Sequence, residues 1–435
     1  MFIKLKKILS NREIILKLIF TFLILLVFKI GTYIPIPMVD TLAIRAEIAN
    51  NSFLTVLNAF SGGGLSNFSI LALGISPYIT SSIIIQMLQL VIPKLKEWSE
   101  QGEVGKQKIN RVTRYTSVVL AMVQGLALLY GLGARPENIL VHDALKYNNL
   151  YWLFYIYMAV VITAGSCFTM WLADLITRHG IGNGSSMIIS AGIISTIPSM
   201  FSTLWAKYIA NGAANAANIT LYITVIVLYV LMIFAVVFFE GAQRKVPVQY
   251  ANRAQNGNSD IPIKLNSASV IPVIFASTLL SIPLTITGML GQNTSTAGMW
   301  VEQIFSYQKP VGIAIYVLLI FFFSFFYSFM TVDPEKISEN LDKQGAYIPG
   351  YRRGEETKNQ LARMLFRTTL IGATYLTILA LVPIIVSKSF GFTPQEASVI
   401  TIGGTSLIIV VGVAIETAKQ IETASETKEY KGFLE

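Results

Sequence analysis

Residues 53–75 read FLTVLNAF, then SGGG, then LSNFSILALGI: an apolar stretch cut in its middle by three consecutive glycines, Gly62, Gly63 and Gly64. Glycine runs break helices, because a residue without Cβ gains little from a fixed helical backbone and loses much conformational freedom. The flanks, Phe53 to Phe60 and Leu65 to Ile75, are each too short to cross a bilayer, which takes about 20 apolar residues. Lipid cannot satisfy exposed N–H and C=O groups, so a broken apolar segment at membrane depth must be buried in protein or line a cavity. Two readings follow: a pore or central substrate site, or a re-entrant loop that merely packs.

Working outward, the whole chain is apolar enough to supply that depth. Of 435 residues, 53% are hydrophobic and 13% charged, against about a quarter charged in soluble domains. Continuous apolar runs predict ten spanning helices, near residues 14–34, 70–92, 115–133, 150–173, 183–205, 218–239, 268–290, 310–332, 365–386 and 395–415. The runs do not alternate with period two, which disfavours a barrel. The basic N-terminus, Met1 to Ser10, resembles the start of a secretory signal, but the run from Ile14 to Ile34 is too long for a signal core and reads as a retained first span.

Lys and Arg are placed asymmetrically. With the N-terminus in the cytoplasm, cytoplasmic segments hold 26 of them and outside loops hold 6. The positive-inside rule then puts both termini in the cytoplasm and accounts for the net charge of +9 without nucleic acid. Two cytoplasmic loops, 240–267 and 333–364, are longer than threading requires. They suit either docking of a large partner or simple solvated linkage. The single cysteine, Cys167, excludes an intramolecular disulfide and reads as a small packed residue. Lys29 lies near the outer end of the first span; Lys17, Asp174, Glu240 and Glu416 lie at cytoplasmic ends, and His142 and His179 in loops. No midplane carboxylate, metal cluster, nucleophile–base pair or phosphate loop is evident, so enzymatic chemistry and a bound cofactor are not expected. The run Gly180 to Gly184 reads as a tight turn into the fifth span. Composition alone ranks a secondary transporter with a discontinuous helix first.

Nine motifs change that ranking. In order they are Gly31-Thr32-Tyr33-Ile34-Pro35-Ile36-Pro37, Phe60-Ser61-Gly62-Gly63, Ala72-Leu73-Gly74-Ile75-Ser76-Pro77-Tyr78-Ile79, Gln101-Gly102-Glu103-Val104-Gly105 and Gly180 to Gly184. Then come Pro247-Val248-Gln249-Tyr250-Ala251, Val270-Ile271-Pro272-Val273-Ile274-Phe275-Ala276, Gly345-Ala346-Tyr347-Ile348-Pro349-Gly350 and Gly403-Gly404-Thr405-Ser406. Together, in register over essentially the whole chain, they resemble the SecY family, the pore subunits of the bacterial Sec protein-translocation channel.

The resemblance implies an all-α polytopic membrane fold of ten helices in two pseudo-symmetric five-helix halves. Here these are residues 1–205 and 206–415, followed by a cytoplasmic tail at 416–435. It implies that the first part of span two, about 53–72 with Phe60, Gly62, Gly63, Gly64 and Leu65, is a half-helix that plugs an hourglass pore. By motif position the pore ring is Ile75, Ile79, Ile189, Ile274 and Ile409, with Ser185 in place of the family's usual apolar residue. The lateral gate, between spans two and three and spans seven and eight, carries Thr80, Gln124 and Asn266 as its polar cluster. Arg244, Lys245, Arg253, Arg352 and Arg353 fall on the family's docking surface, Arg353 replacing a proline. The implied partners are SecE and SecG, the SecA motor ATPase, the ribosome, an unfolded preprotein with its signal sequence, and YidC and SecDF. The implied place is the bacterial cytoplasmic membrane, and the implied activity is moving secretory polypeptides across it and releasing membrane helices sideways into it.

Overall fold

The computed structural model describes residues 11–37, 39, 41, 58, 61–131, 151–210, 216–250, 259–289, 296–306, 309–389 and 406–424. Thirteen helices run through these residues. The first seven are α1 (Arg12–Gly31), α2 (Ser76–Val91), α3 (Pro93–Glu100), α4 (Glu103–Gly131), α5 (Tyr151–His179), α6 (Gly184–Tyr208) and α7 (Ala216–Gly241). After them come α8 (Ile271–Met289), α9 (Thr296–Phe305), α10 (Pro310–Thr331), α11 (Pro334–Lys343), α12 (Glu355–Ser389) and α13 (406–424). Each of the ten apolar runs overlaps one of these helices. Among the described residues, α1, α4, α5, α7, α10 and α12 are long and apolar enough to cross a membrane on their own; α2 and α3 together make a seventh candidate bent by 98°. Large apolar side chains stand exposed along them, Phe22 at 66% and Phe234 at 76% among them. Such surfaces are stable only against lipid or a partner.

The second span differs from the expectation. Its helix starts at Ser76, not near residue 70, and the preceding residues 61–75 form successive turns. The cause is local. Gly62, Gly63 and Gly74 hold φ of 69°, 85° and 54°, and Phe68 holds 41°, all outside the helical region. Pro77 then sits in the first turn of α2, where its missing N–H costs nothing. At the other end Ile92 is extended because Pro93 follows it, and that residue pair makes the bend into α3.

Two buried clusters organise the spans. The larger joins α1, α2, α5, α6, α7, α8, α10, α12 and α13; the smaller joins Leu65, Phe68, Ala72 and Leu73 to Leu128 and Leu129 of α4 and to Phe154, Met158 and Ile162 of α5. An ion pair links α4 to α5, Arg114 Nη2 lying 2.5 Å from Asp174 Oδ2. The turn at 180–183 is as tight as its glycines suggest. Gly182 has φ 88°, Asn183 caps α6 through its side chain, and Gly184 N donates to Thr177 Oγ1 at 2.9 Å.

The two long loops are more than loops. Strand β1 (Gln243–Tyr250) pairs antiparallel with β2 (Ser259–Lys264) and, on its other edge, with β3 (Ala346–Tyr347). Val246, Val248 and Ile263 turn inward with Ala346 and Ile348, and these pack against Leu341 of α11 and Leu361 and Leu365 of α12. One sheet therefore joins both loops around a small core of its own.

Candidate functional site

The glycine-broken segment is buried from Ser61 to Ile75 except for half-buried Gly63, Ser66, Asn67 and Ile70. Its backbone groups, which no helix satisfies, find partners nearby. Ile36 N donates to Phe68 O at 3.0 Å and Ile70 N to Ile34 O at 3.1 Å, so the Gly31–Pro37 motif straps it as an extended neighbour. Asn67 Nδ2 donates to Thr32 O at 3.2 Å, and Ser66 N donates to Asn58 Oδ1 at 2.8 Å. The segment meets α5 closely: Ser166 Oγ donates to Gly74 O at 3.2 Å, and a Cβ built at Gly165 would lie 1.9 Å from Ile70 O. This meets the requirement stated for a broken segment at membrane depth, since protein supplies what lipid cannot. Of the five plug residues expected from the sequence, Gly62, Gly63, Gly64 and Leu65 lie here. Phe60 lies outside the described residues, as do residues 53–57. In its described part the segment is a chain of turns and not the half-helix that the resemblance implied, because positive-φ residues recur along it.

Ile75, Ile189, Ile274 and Ile409 are buried in the larger apolar cluster, and half-buried Ile79 packs against it. They come from the start of α2, from α6, from α8 and from α13. Ser185, the sixth position, uses its hydroxyl locally: Oγ donates to Asn183 Oδ1 at 2.7 Å, beside the capping bond from its own N–H at 3.1 Å. Its polarity is thereby satisfied at the N-terminus of α6, one turn before Ile189.

α8 lies against both α2 and α4. The polar residues expected at that seam are placed differently from one another. Thr80 is buried and donates to Ser76 O at 3.1 Å, Gln124 is half-buried on α4, and Asn266 is buried, with Nδ2 donating to Glu240 Oε1 at 2.7 Å and Ser269 O at 2.9 Å. Asn266 thus ties the exit of β2 to the end of α7, where Lys419 Nζ also donates to Glu240 O at 3.2 Å. A polar link that does cross the seam was missed: Tyr327 Oη of α10 donates to Gln86 Oε1 of α2, while Gln86 Nε2 donates to Ser82 Oγ at 3.0 Å. Its signal was present in the sequence as a lone amide inside the apolar run Ile83-Ile84-Ile85-Gln86-Met87.

Arg244 and Lys245 are exposed on β1, and Arg352 and Arg353 are exposed after β3; Arg253 lies outside the described residues. The two arginines of the second loop differ in employment. Arg353 Nη2 donates to Gly345 O at 3.2 Å and its guanidinium lies 5.6 Å from the centre of the Tyr347 ring, so it closes the turn. Arg352 is held by its backbone, N donating to Glu356 Oε2 at 3.0 Å and O accepting from Thr357 Oγ1 at 2.8 Å, which presents its side chain outward.

Comparisons with known proteins agree on one family. The SecY family model matches residues 69–418. The protein translocase subunit SecY of Bacillus subtilis (strain 168) is 42% identical over 426 residues, 96% of each chain. That of Staphylococcus aureus (strain NCTC 8325) is 41% identical over 433 residues, 97% of each. Among solved structures, a protein-conducting channel superposes with a TM-score of 0.62 at 18% identity, covering 94% of this chain and 91% of the other. Sec61 in a canine ribosome–channel complex superposes with a TM-score of 0.59 at 17% identity, with the same coverage.

Proposed function

The chain belongs to the SecY family, and on that premise we propose how its own residues carry the family's work. It is a subunit of a protein translocase: a membrane channel that conducts polypeptides. The secondary-transporter reading finds no support beside this membership. The finer assignments are our reading. Residues 61–72 form the described part of the plug, and Ile75, Ile79, Ile189, Ile274 and Ile409 form the ring through which the chain passes, with Ser185 at its sixth place. Apolar branched side chains pack around a moving backbone without specific hydrogen bonds, so the transported sequence can vary, and they disfavour a continuous water wire. The observation that carries this reading is the burial of four of those isoleucines, from three helices and the N-cap of α2, in one apolar cluster that also takes in Leu71 of the helix-free segment.

Thr80 and Gln124, together with Gln86 and Tyr327, line the seam at which α2 and α4 part from α8 and α10 to release apolar helices sideways. Residues 1–205 and 206–415 are the two moving halves. Arg244, Lys245 and Arg352 present guanidinium and ammonium groups suited to acidic and phosphate-bearing partners, the ribosome and the SecA motor. Without a nucleotide motif in the chain, translocation draws its energy from such partners, and the chain itself performs no catalysis. SecE and SecG complete the channel, and YidC and SecDF join it for some clients. The setting is the bacterial cytoplasmic membrane with both termini and both long loops inside, the arrangement favoured by the 26-to-6 distribution of Lys and Arg.

The test is photocrosslinking from position 274 to a stalled secretory precursor in membrane vesicles. A crosslink that requires both the signal sequence and the motor supports the pore. Its absence, with the channel folded and partners present, overturns the ring assignment.

A further inference from the structure

Of the two lysines of α1, Lys17 lies near its start and Lys29 near its far end, and the side chain of Lys29 does not simply reach for water. Its Nζ donates to Gly62 O at 2.9 Å, and its ammonium lies 4.9 Å from the centre of the exposed Tyr33 ring. The same carbonyl accepts from Ser195 Oγ of α6 at 3.3 Å, although that hydroxyl's closer partner is Gly192 O at 2.6 Å. A Ser hydroxyl carries one hydrogen, which goes mainly to Gly192 O, so Lys29 is the principal donor to Gly62 O and Ser195 Oγ a weaker second approach to its other lone pair. The seat is also shaped for this turn. Gly62 is buried at φ 69°, and a Cβ built there would lie 2.9 Å from Gly192 Cα, so the backbone of the turn rests directly on the backbone of α6. A charged side chain half-buried in an apolar helix is retained only where it has a partner, and here the partner belongs to the segment that must move for the channel to open.

We propose that Lys29 is the latch of the resting channel: its charge-assisted hydrogen bond to Gly62 O, backed by Ser195, holds the glycine turn in its seat on Gly192, and opening begins when that bond is exchanged for water. This rests on reading residues 61–72 as a plug. A bond to a carbonyl suits a latch better than an ion pair would, because the freed Lys29 ammonium hydrates readily at the end of its helix and the freed carbonyl faces the same water.

The test uses the complete channel in planar bilayers and in export assays. Lys29→Met, which keeps the stem and removes the donor, is expected to raise resting ion conductance about 10- to 150-fold, the range expected from losing one hydrogen bond to a charged group. It is also expected to increase export of a precursor with a weakened signal sequence, a gain that a merely destabilised channel would not show. Lys29→Arg is expected to stay near the parent. Gly62→Val, which displaces the turn by steric clash, serves as the independent probe of the plug. A conductance rise in Gly62→Val with parental behaviour in Lys29→Met overturns the latch and leaves the plug; no rise in either overturns both. A second measurement needs no substitution: a membrane-impermeant amine-reactive ester is expected to label Lys29 of the parent protein several-fold faster with a precursor stalled in the channel than at rest. Equal labelling in the two states overturns the proposal.

Discussion

Tyr327 of α10 donates its phenolic hydrogen to Gln86 of α2, a contact between residues 241 positions apart in the chain. Both side chains are half-buried where α10 meets α2. Hydrogen bonds between membrane helices contribute on average about 0.6 kcal/mol and up to about 1.7 kcal/mol. Such a bond is strong enough to bias a gate and weak enough to be broken by one inserting apolar segment. Tyr327→Phe is therefore expected to shift the seam toward open by about 3- to 18-fold, read as increased export of a precursor whose signal sequence has been shortened. Export unchanged from the parent would show that the contact plays no part in gating.

The isoleucine cluster makes a separate prediction. Ile274 is 8% exposed, and an amide placed there lacks a partner in the cluster and recruits water. Ile274→Asn is expected to raise the resting ion leak of reconstituted channels several-fold while leaving the assembled amount close to the parent. A conductance equal to the parent's would remove Ile274 from the ring.

Arg352 and Arg353 allow the proposed docking role to be tested separately from loop folding. Arg352 offers its side chain outward, whereas Arg353 is engaged with Gly345 O and Tyr347. Arg352→Glu is expected to cut motor-driven export at least several-fold with the channel intact. Arg353→Ala is expected to lower the protection of the loop against protease. The reverse pattern in these two assays would mean the roles are exchanged.

Gly165 of α5 lies directly against the backbone of the broken segment at Ile70. Adding a methyl group 1.9 Å from a backbone oxygen, that of Ile70, forces backbone movement. Overpacking of this kind typically costs about 1–3 kcal/mol. Gly165→Ala is expected to lower the thermal midpoint of the purified channel by several degrees, followed by scanning fluorimetry in detergent. A midpoint at the parental value would place more slack at this contact than the geometry allows.

Much of the architecture was legible in the sequence because the bilayer imposes a length and an apolarity that each run must meet. All ten runs overlap helices, and the glycine break near residue 62 is where the backbone leaves helical geometry. The sheet was not legible. Val246 and Val248 do recur with period two, but β1 finds its second partner at Ala346 and Tyr347, about a hundred residues away, and no local pattern announces a two-residue strand. Asn266 was readable as a polar residue beside the eighth helix but not as the partner of Glu240, since that contact depends on how α7 ends. Lys29 stood out as a charge in a span, while the carbonyl it serves could only be found in space.

The sheet β2-β1-β3 has a mechanical consequence. It fastens the hairpin between α7 and α8 to the turn between α11 and α12, with six paired positions on one edge of β1 and two on the other. A partner that pulls on either projection therefore loads both, and the short β3 edge is the weaker seam. The sheet ties the two loops into a single yoke, so that a load applied to either is expected to be shared by α8 and α12, with the two-position edge the first to part.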